Sequence, residues 1–176
     1  AIFNTTGNNA IIENIVLNIF YQTTSAFSYK FALLANNYGT IRNLIVNVEK
    51  TANNNNRNYA LLGQNNYGTL ENFVINLKQP IYATNYTATT FIYNNVNGII
   101  KNGYIYGNNI IEYSDSGNSG EFGGIVVSNA VKNAQIKNVY SLITIDANVI
   151  TKKAIGNITP NKINPCNMRL IKQQIR

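Results

Sequence analysis

The chain has 176 residues, of which 45% are apolar, 14 are basic and seven are acidic, and it contains no histidine or tryptophan. This length suits one domain with a real core, and no run of about 18 apolar residues offers a membrane-spanning helix. The only cysteine, Cys166, excludes an internal disulfide framework and a cysteine-based zinc site.

An asparagine recurs five times in the same apolar setting. The intervals between copies are 29, 29, 30 and 36 residues, and the copies are Asn14, Asn43, Asn72, Asn102 and Asn138. The two clearest units are 36–48 and 65–77, which match along their whole length. A repeat of this period, rich in β-branched residues, predicts a stacked β architecture in which each unit buries one face against the next.

Within each unit the apolar residues alternate with other residues, which is the period of a β-strand. In the second unit, Leu44, Val46 and Val48 share one face. Another apolar residue, Ile41, stands two positions before Asn43, so alternation alone would place it on the opposite face from Leu44. If both point inward, the chain must turn at the asparagine, which tolerates left-handed backbone angles.

We therefore predict an all-β domain over residues 1–150, a parallel β-helix of about five coils with two or three strands in each. The five asparagines should form a ladder whose amides bond along the stack, since an unpaired buried amide would cost about 1–3 kcal/mol. The predicted loops between coils are 20–30, 50–58, 79–89 and 107–121.

Residues 151–176 depart from the repeat. They contain six basic residues and no acidic one, whereas residues 1–150 contain eight basic and seven acidic residues. We predict an irregular basic tail that caps or links the stack, with a short helix over 167–176. A basic tail suits an anionic partner, but the nearly neutral body has no basic face interleaved with aromatic residues, so we do not expect a nucleic-acid partner.

Two stretches resemble the GLUG repeat of large secreted surface proteins. They are Leu61–Asn72, and Gly123–Asn129 followed by Ile136–Ser141. The resemblance extends over about residues 7–145 and implies a right-handed β-helix in an adhesin-like or protease-associated extracellular protein. The paired glycines of the family stand only at 123–124, and its cysteine after the asparagine is absent.

The sequence offers little for catalysis, because the usual nucleophile and base pairs require histidine or cysteine. One acidic cluster, Glu112, Asp115 and Glu121, lies in a glycine- and serine-rich stretch. Asp115, Asn118 and Glu121 are a candidate Ca²⁺ site, with an ordinary solvated loop as the alternative. We expect no enzyme activity and no cofactor; the alternative is a carbohydrate-active β-helix enzyme that uses this loop.

A column of outward residues is the candidate contact stripe, which consists of Val16, Ile45, Val74, Tyr104 and Tyr140. An apolar stripe on a solvent face marks a contact surface, whereas strand propensity alone would also place such residues there. Beside it, Asn18, Asn47 and Asn76 predict a second ladder. Amides next to tyrosines suit stacking on sugars and hydrogen bonding to them.

These features predict a non-enzymatic structural and interaction module of a secreted or cell-surface protein, serving as a stalk, an assembly unit or an adhesive scaffold. The expected partners are other protein chains or surface glycans, with end-to-end assembly because open sheet edges invite pairing. A subunit of a filamentous assembly is the remaining alternative.

Overall fold

The structure is a computed structural model that describes residues 2–20, 33–50, 59–60, 62–79, 81–83, 88–89, 91–108, 110–112, 122–129, 133–143, 145–146 and 152–158. All regular structure in these residues is strand. In chain order the strands are β1 (Phe3–Thr5), β2 (Ile11–Phe20), β3 (Leu34–Asn37), β4 (Thr40–Lys50), β5 (Tyr59–Ala60), β6 (Gly63–Asn66), β7 (Thr69–Leu77), β8 (Ile81–Ala83), β9 (Ala88–Thr89), β10 (Ile92–Asn95), β11 (Ile99–Gly107), β12 (Ile110–Glu112), β13 (Phe122–Asn129), β14 (Gln135–Ser141), β15 (Ile145–Asp146) and β16 (Lys152–Ile158).

The strands stack in three sheets, and neighbours within a sheet come from successive coils. Sheet A runs β1-β3-β6-β10-β13 with β16 beside β13, and β5 and β9 extend it along the first residues of β13. Sheet B runs β2-β4-β7-β11-β14, and sheet C runs β8-β12-β15. Every pairing is parallel. The chain therefore winds as a parallel β-helix, which confirms the predicted stacked all-β fold.

The corner asparagines, Asn14, Asn43, Asn72, Asn102 and Asn138, turn the chain inside sheet B. Their φ angles lie between 52° and 59°, in the left-handed region. On either side of Asn43, Ile41 and Leu44 are both buried, as the predicted turn requires. The four corner amides after Asn14 each donate from Nδ2 to Oδ1 of the preceding copy over 2.9 to 3.3 Å.

The corner asparagines are exposed, so an unpaired amide among them would not carry the cost of an unpaired buried amide. That cost applies to a different set of asparagines, which is buried. The buried set forms a ladder that was not predicted from the sequence, here called the buried ladder. It runs along sheet A and consists of Thr6, Asn37, Asn66 and Asn95. The three asparagines have 0% exposure, and Nδ2 donates to Oδ1 of the following coil over 2.9 and 2.8 Å. The Thr6 hydroxyl donates to Asn37 Oδ1 over 2.9 Å and accepts the backbone N–H groups of Tyr38 and Gly39, so it begins this ladder with its donor and acceptors all engaged.

The core fills the space between the sheets, and its packing depends on the register between coils. Val46 and Ile75, in register on β4 and β7, are fully buried. Phe73 stacks on Phe91 with ring centroids 4.2 Å apart. Gly103 is in register with Phe73, and a Cβ atom at Gly103 would lie 2.0 Å from the Phe73 ring. The missing side chain on β11 thus makes room for the large one on β7.

Strands also occupy parts of segments that the sequence led us to expect as loops or tail. The strands β8, β9 and β12 lie within the segments 79–89 and 107–121, and β8 and β12 form sheet C with β15. The strand β16 lies in the expected tail and pairs in parallel with β13. The predicted helix over 167–176 is outside the described residues. Where the structure describes the chain, no helix is long and apolar enough to cross a membrane.

Candidate functional site

The contact stripe lies on the outer face of sheet B. Residue by residue, its five members are in register across the sheet: Val16 with Ile45, Ile45 with Val74, Val74 with Tyr104, and Tyr104 with Tyr140. The exposed fractions are 61% for Val16, 45% for Ile45, 39% for Tyr104 and 44% for Tyr140, and Val74 is half-buried. Apolar surface therefore runs across all five strands of sheet B, which are here called its rungs and are numbered from β2 to β14.

A second outward column lies beside the stripe, two residues further along each strand. In the first three rungs it consists of asparagines, where Asn47 Nδ2 donates to Asn18 Oδ1 over 2.9 Å and Asn76 is in register with Asn47. In the fourth rung the same position is Tyr106. In the fifth, Leu142 follows the last residue of β14 and donates its backbone N–H to Ile105 O over 2.8 Å. The column thus changes from amides to apolar groups between β7 and β11.

Four exposed residues at neighbouring positions on, or directly after, the last two strands of sheet B are here called the tyrosine patch. Its members are Tyr104 and Tyr106 on β11, Tyr140 on β14, and Leu142. The rings of Tyr104 and Tyr106 are tilted by 33° with centroids 5.5 Å apart, and all four side chains are exposed. Aromatic residues with exposed hydroxyls combine a large apolar surface with a polar tip, so this patch can both stack on and hydrogen-bond to a ligand.

Charged residues form a row immediately before the corner asparagines. Arg42 pairs with Glu13 over 2.5 Å, and Lys101 pairs with Glu71 over 2.8 Å. Lys137 is in register beside Lys101, and it pairs with no acid among the described residues. In strand order the row consists of Glu13, Arg42, Glu71, Lys101 and Lys137. Its charges alternate except at the end, where Lys137 is an exposed cation next to another cation.

The acidic side chains that the structure describes all hold coils together. Besides the two pairs in this row, Glu49 accepts a hydrogen bond from Lys78 on the next coil over 2.6 Å. Such exposed pairs contribute little each, about 0.2–1 kcal/mol, but they fix the same register as the asparagine ladders.

The candidate Ca²⁺ ligands Asp115, Asn118 and Glu121 lie outside the described residues, as does the side chain of Glu112. In the part of the chain that the structure describes, no cluster of three or more histidine, cysteine or acidic residues could hold a metal ion.

Sequence reasoning identified the stripe but not the patch. Tyr106 and Leu142 stand two residues after Tyr104 and Tyr140, and this spacing in the sequence was the available signal. The adjacent lysines could be found from the same alignment of repeats, because each directly precedes a corner asparagine.

Comparisons with protein-family models, with curated proteins and with solved structures find no match to the chain. The outer face of sheet B must therefore be interpreted from its own residues.

Proposed function

We propose that the chain is a non-enzymatic structural and interaction module of a secreted or cell-surface protein, which holds the outer face of sheet B rigid for contact with another protein or a glycan. The resemblance to GLUG repeats agrees with such a role.

The observation that carries the proposal is the straight apolar stripe on an exposed face. Monomeric proteins rarely expose contiguous apolar surface of this kind unless it contacts something. The stripe also lies on a rigid support, because the corner asparagines and the buried ladder, which both precede the stripe residue in each coil, bond successive coils to one another. A surface that is exposed, apolar and rigid loses little conformational entropy on binding.

The acidic side chains that the structure describes support a scaffold over carboxylate chemistry. Sugar-cleaving enzymes generally need a pair of carboxyl groups on either side of the bond that breaks. Glu13, Glu49 and Glu71 are each engaged with a basic residue of the following coil. Their role in this fold is to link coils.

The test is binding without turnover. The full chain is applied to a glycan array and to a panel of extracellular-matrix proteins, and any polysaccharide that binds is checked for newly released reducing ends. We expect retention on at least one surface and no release of ends. The double substitution Ile45→Lys and Val16→Lys should abolish retention on a protein surface without changing the circular dichroism spectrum, because both side chains are exposed.

Tyr38→Ser is the matched control. Tyr38 is also exposed, but it stacks on Tyr67 with centroids 4.6 Å apart, away from the stripe. Retention on a protein surface that survives the lysine substitutions, or steady release of reducing ends by the unmodified chain, would rule out the proposal.

A filamentous assembly is a second candidate, and the edge strand β2 favours it. In the described residues β2 has a neighbour on one side only. Ile12, Ile15 and Leu17 point into the core but are only partly buried, and Ile11 and Phe20 are exposed. An unpaired edge with uncovered apolar residues invites another strand. Sedimentation over a range of protein concentrations tests this: assembly through β2 predicts growing oligomers that Ile15→Lys reduces to monomers.

A further inference from the structure

The tyrosine patch differs in chemistry from the rest of the outer face. In the first three rungs the two outward columns are aliphatic residues and asparagines, and the amides of Asn18 and Asn47 are bonded to each other. In the last two rungs the corresponding residues are three tyrosines and a leucine. Strand propensity explains aliphatic and aromatic residues equally well, so it does not explain why the aromatic ones collect at one end.

The row of charged residues breaks at the same rungs. The charges of the row alternate in sign as far as Lys101, and the next member, Lys137, is a second cation in register beside Lys101. Like charges directly opposite each other on neighbouring strands are destabilising. Lys137 precedes Tyr140 by three residues, and no acid among the described residues compensates it. The position suits an anion that is supplied from outside the chain.

We propose that the tyrosine patch and Lys137 together bind an acidic polysaccharide. Sugar rings would lie against the exposed faces of Tyr104, Tyr106 and Tyr140, with their hydroxyls bonded to the phenol oxygens. A carboxylate or sulfate on the sugar would accept a charge-assisted hydrogen bond from Lys137. This inference rests on the proposed function and names the ligand of the same face.

An anionic sugar fits these residues better than the other anionic or apolar partners. Nucleic-acid binding depends on several phosphate contacts with basic residues, whereas residues 1–150 contain eight basic and seven acidic residues. A purely apolar protein surface would cover Lys137 and leave its charge without a partner, which is costly.

The experiment measures binding of the full chain to oligogalacturonate, to neutral dextran of similar length and to single-stranded oligothymidylate. We expect oligogalacturonate to bind most tightly, and its affinity to fall as salt rises because the contact with Lys137 is exposed. Tyr104→Ala should weaken binding about tenfold, whereas Tyr104→Phe should keep most of it. Lys137→Glu should remove the preference for oligogalacturonate over dextran.

Tyr38→Ala and Lys78→Glu are the matched controls, since they change an exposed tyrosine and an exposed lysine away from the patch. Circular dichroism establishes that each variant is folded. The inference is overturned if dextran or oligothymidylate binds as well as oligogalacturonate, if no probe binds, or if the patch variants bind like the controls.

Failure of this inference can be separated from failure of the proposed function. If no sugar binds but the Ile45→Lys and Val16→Lys substitutions still abolish retention on a protein surface, the scaffold role stands and the polysaccharide inference falls. If neither the stripe nor the patch affects any binding, both fall.

Discussion

Asn72 adopts a backbone conformation that most residues avoid. Its φ of 53° lies in the left-handed region, where the asparagine side chain is tolerated better than most. Its amide also bonds to Asn43 and Asn102 over 3.3 and 3.2 Å. The residue therefore contributes in two ways, by turning the chain and by linking three coils.

Two substitutions separate these contributions. Asn72→Gly and Asn72→Ala both remove the amide, but alanine in the left-handed region costs about 1–2 kcal/mol and glycine adopts it freely. We expect the alanine variant to be less stable by about 1 kcal/mol or more in urea unfolding.

The same pair of substitutions at Asn76 is the control. Asn76 is an outward residue of β7 and is not among the left-handed residues of the described chain. There the order should reverse, because glycine weakens a regular strand relative to alanine. Equal stabilities at Asn72 would show that the amide bonds, and not the turn, decide its effect.

The corner asparagines could be predicted from the sequence, whereas the buried ladder could not. Asn43 stands between two apolar residues whose common burial requires a turn. Asn37 and Asn66 precede Tyr-Gly pairs and read as turn residues, although they lie in strands. Only the stacking of the coils places their amides in the core, and a recurrence at 29 residues was the signal that could have indicated it.

At the scale of the element, neighbouring strands carry side chains of complementary size at positions that are in register. Phe73 on β7 fills the space that Gly103 leaves on β11. The sequence shows each strand's inward residues, but the fit between them depends on side-chain positions in three dimensions. For this reason the glycine after Asn102 could be seen in the sequence without its packing role being evident.

A double-mutant cycle tests whether the sizes of residues 73 and 103 are coupled. Gly103→Ala should destabilise the protein by about 1–3 kcal/mol, since overpacking forces neighbours to shift. Phe73→Leu should also destabilise it, because it leaves a cavity. Together the two changes should cost less than their sum, with a coupling of about 0.5–3 kcal/mol, measured by urea unfolding. Strict additivity would mean that the two positions pack independently.

At the scale of the whole molecule, stability is set by contacts between successive coils, as in other repeat proteins. The third coil is covered on both sides, and Ile75 is fully buried there. The first coil is covered on one side, and Ile15 is only partly buried. The alternation of apolar residues predicts the same inward role for both, because the pattern does not show which strand lies at the edge of the described sheet.

Equivalent truncations in the two coils should therefore differ. Ile75→Ala should cost about 2–5 kcal/mol, whereas Ile15→Ala should cost clearly less at low protein concentration. If the first coil is covered by a second copy of the chain, the cost of Ile15→Ala should rise with protein concentration, because association then adds to stability. Thermal unfolding at several concentrations measures this. Equal losses at low concentration would contradict an open first coil.

The direction of the amide bonds has a consequence for how such a chain can change in length. Asn43 gives its N–H to the coil before it and its carbonyl oxygen to the coil after it, and Asn72 does the same. Both faces of an interior coil thus offer the same complementary groups. A gene duplication or deletion of one whole unit would rejoin matching amide groups at this corner, so the corner asparagines place no limit on the number of coils in the stack.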